Sequence, residues 1–179
     1  LCAVCRQDEA LLDVFWDERN FMIAFGVVEV ARMVLADEVV RGTLNAVDGR
    51  IASFQSGNTA EGTLDLEGDY LLPGLVEVHT DNFERHLMPR PKVHWAEMPA
   101  LLAHDAEVAS AGITTVFDAL GVGEADTESL RGSTWHKVLA TIDDCATRDL
   151  LRADHHLHVR CELPAPNTVE LFDWRAGPM

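Results

Sequence analysis

The chain has 179 residues, 47% of them hydrophobic, and a formal net charge of −16 at pH 7. Its length is sufficient for one domain with a buried core. Because 30 acidic residues face only 14 lysines and arginines, the composition argues against a nucleic-acid partner, which would require a basic surface. No segment approaches the roughly 18 unbroken apolar residues of a membrane span, so we expect no membrane partner either.

The start of the chain and its cysteines indicate the cellular compartment. Residues 1–8 lack the basic region followed by an apolar stretch that marks a signal peptide. Cysteine occurs only four times, which argues against the disulfide-rich secreted class. Cys2 and Cys5 have the spacing of a zinc or redox pair, but no second cysteine pair follows them closely. We therefore expect a cytoplasmic protein, and a homo-oligomer is compatible with this composition.

The first 70 residues carry mainly β patterns. Residues 1–26 have mixed periodicity, so no element is predicted there. Asp48-Gly49 is a strong signal for a tight hairpin turn. Strands are predicted at 27–34, 39–47, 50–54, 63–66 and 70–71. Residues 27–70 are therefore expected to form a small antiparallel β unit.

From residue 71 onward, predicted strands alternate with predicted helices. Strands are expected at 71–79, 113–118 and 156–162. Helices are expected to begin at Pro99, at Ser133 and at Asn167 or Thr168, the last running to Trp174. A loop is expected from Gly121 to Gly132, and Gly112 suits the position just after the first helix. Such alternation predicts an α/β fold with a parallel sheet or barrel.

The first strand of this second part ends in a pair of candidate metal ligands. His79 and Asp81 are two residues apart, and side chains two apart in a strand share a face. An imidazole and a carboxylate on one face suit a divalent metal ion. Glu77 has the same parity, whereas Val76 and Val78 are expected to face covering helices. Taken alone, the pair could equally be two polar residues at the mouth of a strand.

The third strand repeats this logic. Its polar parity, expected to face inward, consists of His156, His158, Arg160 and Glu162. Its apolar parity, expected to face the helices, consists of Leu157, Val159 and Cys161. Glu162 then lies at the mouth of the strand, as a candidate metal ligand or as the salt-bridge partner of Arg160. Of the other histidines, His158 is expected to be buried and hydrogen-bonded, and His104 and His136 to be structural or exposed.

A short segment after the first strand is basic although the chain is acidic. It carries Arg85, His86, Arg90 and Lys92. A bound triphosphate would need such positive charge, and arginine offers it bidentate contacts. A solvated loop is the alternative interpretation. Three further polar residues are expected to line the site and orient its ligands: Asn82, Glu84 and Asp118.

Several motifs resemble the amidohydrolase superfamily, in which a small β-sandwich is joined to a TIM barrel. They begin with Asp48-Gly49-Arg50-Ile51 and continue with Leu72-Pro73-Gly74-Leu75-Val76-Glu77-Val78-His79. Where the superfamily usually has a His-x-His motif, this chain has His79-Thr80-Asp81. One branch is resembled closely, the alpha-D-ribose 1-methylphosphonate 5-triphosphate diphosphatases of the carbon–phosphorus lyase pathway. The runs that carry this resemblance are His79-Thr80-Asp81-Asn82-Phe83-Glu84-Arg85-His86-Leu87, Pro89-Arg90-Pro91, Leu101-Leu102-Ala103-His104-Asp105 and Ala111-Gly112-Ile113-Thr114-Thr115-Val116-Phe117-Asp118-Ala119-Leu120.

The resemblance implies a fold, a reaction and a cofactor. The fold would be the N-terminal part of a TIM-like (β/α)8 barrel at 71–179, preceded by a β-sandwich portion at 27–70 and an unassigned extension at 1–26. The reaction would be metal-dependent hydrolysis of a small triphosphorylated ribosyl phosphonate to its 5-phosphate and diphosphate. The metal would be divalent, with zinc expected, as one ion or two. Glu162 resembles a third-strand glutamate that binds metal in some members, which makes His79, Asp81 and Glu162 the implied ligands.

The sequence leaves two alternative interpretations open. A carbon–nitrogen amidohydrolase, such as a deacetylase or a dihydroorotase-like enzyme, would share the fold, although Asp81-Asn82 and the basic segment argue against it. A full barrel needs about 250 residues and eight βα units, whereas roughly three strands fit after residue 71 here. We therefore expect the N-terminal piece of a longer hydrolase. The piece by itself would be a catalytically dead fragment or a binding module, which is the second alternative.

Overall fold

The computed structural model describes residues 2–5, 12–14, 25–47, 50–56, 64–65, 68–123 and 131–172. Strands and helices both occur, and the chain has a mixed α/β fold as the sequence predicts. The chain divides into two units, one of residues 1–75 with 109–114 and the other of residues 76–108 with 115–179. No helix within the described residues is long and apolar enough to cross a membrane.

The first unit is built on a mixed β-sheet. Its strands are β1 (Cys2–Cys5), β2 (Leu12–Val14), β3 (Phe25–Val34), β4 (Val39–Val47), β5 (Arg50–Ser56), β6 (Leu64–Asp65) and β7 (Tyr70–Pro73). Among the described residues the sheet order is β2-β1-β7-β3-β4-β5, with β6 beside β3. The β-branched and apolar runs of β3 and β4 suit such a half-buried pleated surface.

The hairpin prediction for this sheet is consistent with the observed register. Strand β4 has the predicted bounds, and Val47 pairs with Arg50 of β5. The predicted turn residues, Asp48 and Gly49, lie outside the described part of the chain. One expectation is wrong: the unit is not wholly antiparallel, because β3 pairs in parallel with both β6 and β7. Alternating residues signal that a strand exists, but they do not encode the direction of its neighbour.

Two further strands lie in the region for which the sequence predicted no element. Strand β1 pairs antiparallel with both β2 and β7. These strands are three and four residues long, too short for a periodic pattern to stand out. The pairing of β1 with β7, and of β2 with β1, therefore supplies what local propensity does not.

The second part of the chain alternates strands and helices. In order these are β8 (Leu75–Thr80), α1 (Asn82–Leu87), α2 (Glu97–Ser110), β9 (Ile113–Val122), α3 (Arg131–Thr147), β10 (Asp154–Cys161) and α4 (Thr168–Phe172). The strands form a three-stranded sheet in the order β10-β9-β8, and β9 and β10 are parallel. Gly112 follows α2 with a φ of 77°, the left-handed conformation that a helix-ending glycine adopts.

A hydrophobic core lies between this sheet and its helices. Its buried members are Phe83, Leu87, Ala100, Leu101, Leu120, Val122, Trp135, Val138 and Cys145. Phe83 and Leu101 are fully buried, and each large side chain removed from water contributes roughly 1.5–3 kcal/mol. Every second residue of β9 points towards this core. The alternation of side chains along the strand therefore decides which of them meet the helices.

Several element bounds differ from the predictions: the strand expected at 71–79 is divided into β7 and β8, and α2 begins two residues before Pro99. Helix α1 was not predicted, and it forms because Phe83 and Leu87, four residues apart, both reach the core. Strand β9 continues past its predicted end at Asp118, because burial of Leu120 and Val122 extends it. Helix α3 begins two residues before Ser133. The predicted loop is shortened at both ends accordingly, and residues 124–130 and Trp174 lie outside the described residues.

The apolar parity of β8 is not covered as predicted. Val76 and Val78 are 57% and 67% exposed, although they were expected to pack against helices. Strand β8 is an edge strand of this sheet, so helices packed near the centre leave it open.

Candidate active site and a buried charge network

Charged side chains gather around the ends of strands β8, β9 and β10. We call this group the open cluster; it consists of His79, Asp81, Glu84, His158, Arg160 and Glu162. The strand ends are tied together by backbone contacts, since the Glu162 amide donates to the Val122 carbonyl at 2.8 Å. The Gly121 amide donates to Glu84 Oε1 at 3.0 Å, which fixes α1 against the end of β9.

Small residues on the middle strand let β10 reach β8. In the parallel register, His158 lies beside Ala119 and Arg160 beside Gly121. Residues paired in this way point to the same face of a sheet, so there is little side chain on β9 to block them. His158 Nδ1 donates to the Val78 carbonyl at 3.2 Å, and its ring meets His79 edge-on at 4.8 Å.

Arg160 is the centre of the open cluster. Its Nη1 contacts Asp81 Oδ1, its Nη2 lies 3.7 Å from Glu84 Oε2, and its Nε lies 3.6 Å from Glu162 Oε1. One guanidinium thus gathers three carboxylates, one on α1, one just before α1 and one just after β10. The salt bridge between Arg160 and Glu162, left open by the sequence, is present.

His79 and Asp81 lie close together, although not as two residues of one strand. Strand β8 ends at Thr80, and Asp81 is the residue before α1, with φ −89° and ψ 5°. His79 Nε2 is still 3.9 Å from Asp81 Oδ1, and both side chains are about half exposed. His158, expected to be buried, is partly exposed. Asn82 begins α1, and its amide donates to Thr80 Oγ1 at 3.1 Å.

The basic segment lies on α1 and in the loop after it. Arg85 is exposed and donates through Nη1 to Asn82 Oδ1 at 3.3 Å. Arg90 and Lys92 are exposed on a tight turn in which the Val93 amide donates to the Arg90 carbonyl at 3.0 Å. The sequence Arg90-Pro91-Lys92-Val93 and the φ of 65° at Lys92 are typical of a type II turn.

His86 has a partner already. Its Nε2 donates to Glu107 Oε2 at 2.7 Å. Hydrogen bonds from His86 and Asn82 lower the pKa of Glu107, so this carboxylate is ionised at neutral pH. The contact joins α1 to α2 on the surface, which takes one ring nitrogen of His86 away from any substrate.

A second charged group lies on the helix-facing side of the sheet. We call it the buried network; it consists of His104, Asp105, Asp118, Arg152 and His155. His104 and Asp105 sit on α2, Asp118 on β9, and the other two at the start of β10. His104 and Asp118 are 0% exposed, so this carboxylate has left water completely. Asp118 contacts His104 and His155 on this side of the sheet, whereas the sequence had placed it as a residue lining the candidate site.

Hydrogen bonds satisfy the carboxylates of the buried network. Asp118 accepts from His104 Nε2 and from His155 Nδ1, each at 2.7 Å. Asp105 accepts from the amides of Arg152 and Ala153 at 2.7 and 3.0 Å, and from Arg152 Nη1 at 3.0 Å. His155 Nε2 lies 3.4 Å from Asp105 Oδ1, so both ring nitrogens of His155 face carboxylates.

The protonation states follow from this geometry. Burial alone would lower the pKa of His155, but hydrogen bonds to Asp105 and Asp118 and their charges raise it to about 9. Burial would raise the pKa values of the two aspartates, and their hydrogen bonds lower them. His155 is therefore an imidazolium at neutral pH, and with Arg152 it balances both carboxylates.

The donor set of this network could also hold a metal ion. Within the described residues, ligand atoms of His104, Asp118 and His155 lie within 4.8 Å of one another. We interpret the group as a hydrogen-bonded network, because both oxygens of Asp118 already accept short bonds and a metal would have to displace the protons of two imidazoles. His104 Nε2 must donate to Asp118, which leaves its Nδ1 as a buried acceptor with no partner among the described residues.

One feature of the sequence indicates this network, although no buried network was predicted. Asp105 occupies a position in α2 whose spacing is otherwise apolar, next to Leu101, Val108 and Ala109. A charge within a core-facing stripe is buried only when it is paired. His104, expected to be structural or exposed, is fully buried, and His136 on α3 is exposed.

Comparison with known proteins supports a hydrolase relationship. No family model matches the chain. The alpha-D-ribose 1-methylphosphonate 5-triphosphate diphosphatase of Escherichia coli (strain K12) is 40% identical over 148 residues. That match covers 82% of this chain, and the chain spans 39% of the length of that relative.

The chain was also compared with solved structures, and hydantoinases are among those it resembles. The L-hydantoinase (dihydropyrimidinase) of Arthrobacter aurescens has a TM-score of 0.45 at 20% identity, covering 74% of this chain and 27% of its own. A D-hydantoinase has a TM-score of 0.47 at 20% identity, covering 74% and 26%. The dihydropyrimidinase of Brevibacillus agri NCHU1002 has a TM-score of 0.47 at 17% identity, covering 75% and 26%. The resemblance seen in the sequence motifs is confirmed by the sequence match: the chain is a relative of the alpha-D-ribose 1-methylphosphonate 5-triphosphate diphosphatase.

Proposed function

We propose that the protein to which this chain belongs is a metal-dependent diphosphatase of phosphonate catabolism. Its substrate would be alpha-D-ribose 1-methylphosphonate 5-triphosphate, and its products the 5-phosphate and diphosphate. The observation that carries the proposal is the 40% identity over 148 residues to a diphosphatase of that name. The match extends over 148 residues rather than a single short signature, which favours a shared reaction.

The metal would bind in the open cluster. His79, Asp81 and Glu162 offer an imidazole and two carboxylates, a donor set suited to a divalent ion such as zinc. The Arg160 guanidinium already draws Asp81 and Glu162 towards one positive charge, and it stands in for a cation at that point. The chemistry of this donor set suits one or two divalent ions.

The bound metal would supply a water nucleophile near neutral pH and neutralise phosphoryl oxygens. Water would attack the phosphorus next to the ribose, and the bond to the bridging oxygen would break with diphosphate as the leaving group. The residues of this chain would position the substrate. Glu84, held by the Gly121 amide, lies beside the cluster and is placed to orient a ligand or to accept a proton from water.

The triphosphate would be held by the basic segment. Arg85 and the turn that carries Arg90 and Lys92 are exposed cations in a chain of net charge −16. The two cationic side chains of the turn are two residues apart in the sequence. Lys92 has a left-handed backbone conformation that non-glycine residues rarely adopt. His86 would contribute less, because its Nε2 is engaged by Glu107.

The alternating part of the chain would be the first portion of a TIM-like barrel at 71–179. Residues 27–70 would belong to a small β-sandwich, with residues 1–26 as an extension. The exposed Val76 and Val78 on β8 are consistent with further structure covering that strand. Activity would then belong to the whole protein, and we expect the chain by itself to be inactive.

Activity assays of the whole protein and two histidine variants test the proposal. The purified protein should release diphosphate from the triphosphate substrate, and a chelator should abolish the release. His79→Ala should lose both bound metal and diphosphate release, because a ligand is removed. His136→Ala, which changes an exposed histidine on α3, is the matched control and should retain both.

Two outcomes would contradict the proposal. A His79→Ala protein with full metal content and normal diphosphate release would remove the open cluster from the reaction. Hydrolysis of a cyclic or N-acetyl amide, without release of diphosphate from the triphosphate, would favour a carbon–nitrogen amidohydrolase instead.

A further inference from the structure

Arg160 has an unusual position for a residue among candidate metal ligands. It is only 29% exposed, and its three nitrogens face Asp81, Glu84 and Glu162. A guanidinium between three carboxylates occupies the charge position that the proposed metal would take. The proposed function therefore leaves one question, which is how a cation-binding site can already contain a cation.

We propose that Arg160 is a positioning residue, an internal counter-cation that gathers the carboxylates of the open cluster and is displaced when the metal binds. The inference rests on the proposed function. Without a positive charge, three carboxylates drawn from α1, from the residue before it and from the end of β10 would repel one another. Arg160 removes that repulsion in the metal-free protein and keeps the ligands near their binding positions.

The structure gives Arg160 room to move. Its neighbour in the parallel register is Gly121, which has no side chain to restrict the guanidinium on that face of the sheet. The long arginine stem has several rotamers, whereas the backbone that carries it is fixed by the β9–β10 pairing. Displacement therefore requires a change of rotamer and no change of fold.

This arrangement has a measurable consequence for metal affinity. Metal binding must break the contacts of Arg160 with Asp81 and Glu162, so the intrinsic affinity of the ligands is reduced. Removing the guanidinium leaves the same carboxylates with one positive charge fewer nearby. We expect Arg160→Met, which keeps a flexible stem, to bind zinc about tenfold more tightly than wild type.

The test is a zinc titration of the metal-free whole protein against a chromophoric chelator. Arg160→Met should bind more tightly than wild type, and Arg160→Lys, which keeps a charge, should lie between the two. Arg148→Met removes an arginine from its contact with Asp144 on the surface of α3 and serves as the control. It changes the net charge equally and should leave zinc affinity within about twofold of wild type.

The same titration separates the two proposals. If His79→Ala binds zinc as wild type does, the proposed metal site is wrong. If His79→Ala loses zinc while Arg160→Met and Arg160→Lys bind no more tightly than wild type, the site stands and the displacement of Arg160 is overturned. Equal tightening in Arg148→Met would also overturn it, because the effect would then be one of net charge.

Discussion

The two charged groups of this chain use similar residues for opposite purposes. The open cluster and the buried network each combine aspartate or glutamate with histidine and one arginine. In the open cluster, Asp81 is 52% exposed, and under our proposal a metal ion would displace its contact with Arg160. In the buried network, Asp118 is 0% exposed and both its oxygens are bonded.

The degree of burial decides whether a group of charged side chains can be rearranged. An exposed ion pair contributes about 0–1 kcal/mol, so it can be rearranged at little cost. A buried charge that loses its partner costs about 3–5 kcal/mol, so it is held in place. This difference is consistent with the ligand exchange that we propose for the open cluster, whereas the buried network fixes α2 against β9 and β10.

The largest effect should come from breaking the buried network. Asp118→Ala would leave the His155 imidazolium and the His104 N–H without their shared acceptor. We expect the free energy of unfolding to fall by about 3–5 kcal/mol, measured by urea denaturation at pH 6. Asp144→Ala removes an exposed carboxylate from a contact with Arg148 and should cost less than about 1 kcal/mol. Equal losses in the two variants would erase the distinction between the regions.

The next effect is a decline of stability at alkaline pH. The pKa of His155 is raised from 6.5 to about 9 in the folded protein, so the fold binds this proton more tightly than the unfolded chain does. The resulting stabilisation is complete below pH 6.5 and is lost as pH rises towards 9. It amounts to roughly 3 kcal/mol, and denaturation midpoints at pH 6 and 9 would measure it.

The variant His155→Gln provides the control for this decline at alkaline pH, and the two aspartates of the buried network determine the separate decline at acid pH. His155→Gln cannot carry the charge, so its stability should be lower at pH 6 and nearly flat between pH 6.5 and 9. A decline of the wild-type size in His155→Gln would assign the effect to another group. Asp105 and Asp118 have lowered pKa values, so their contributions are complete above pH 3.8 and are lost as pH falls below it.

The smallest effect on stability should come from the open cluster. Asp81→Asn removes a charge from an exposed contact and should change the free energy of unfolding by less than about 1 kcal/mol. Zinc affinity should nevertheless fall at least about tenfold, because a carboxylate ligand is lost. Urea denaturation and zinc titration on the same sample would measure both. A large loss of stability with unchanged zinc affinity would show that the open cluster is structural.

The sequence predicted much of the scaffold that holds both regions. The bounds of β4 agreed with the alternating pattern, and Gly112 ends α2 in the left-handed conformation that its position indicated. Strand β10 was placed correctly to within two residues, whereas the single strand predicted at 71–79 is divided into β7 and β8. These features are local, since each depends on the spacing or backbone freedom of neighbouring residues.

The sites were predictable to different degrees. His79 and Asp81 could be singled out because they are two residues apart at the end of an apolar run. The buried network could not, because its members are far apart in sequence: 37 residues separate Asp118 from His155, and 47 separate Asp105 from Arg152. His155 lay just outside the predicted strand, and Asp118 was expected on the other face of the sheet.

Three features follow from the amino-acid sequence alone, because they depend on short-range spacing. They are the alternation of strands and helices, the parity of each strand and the residue types available for chemistry. Tertiary structure decided which charges meet. The register of β9 and β10 places Gly121 beside Arg160, which allows the guanidinium to reach Asp81 across the sheet. Packing of α2 takes Asp118 out of water, and the hydrogen bonds and charges of Asp105 and Asp118 outweigh the burial of His155 and keep it a cation.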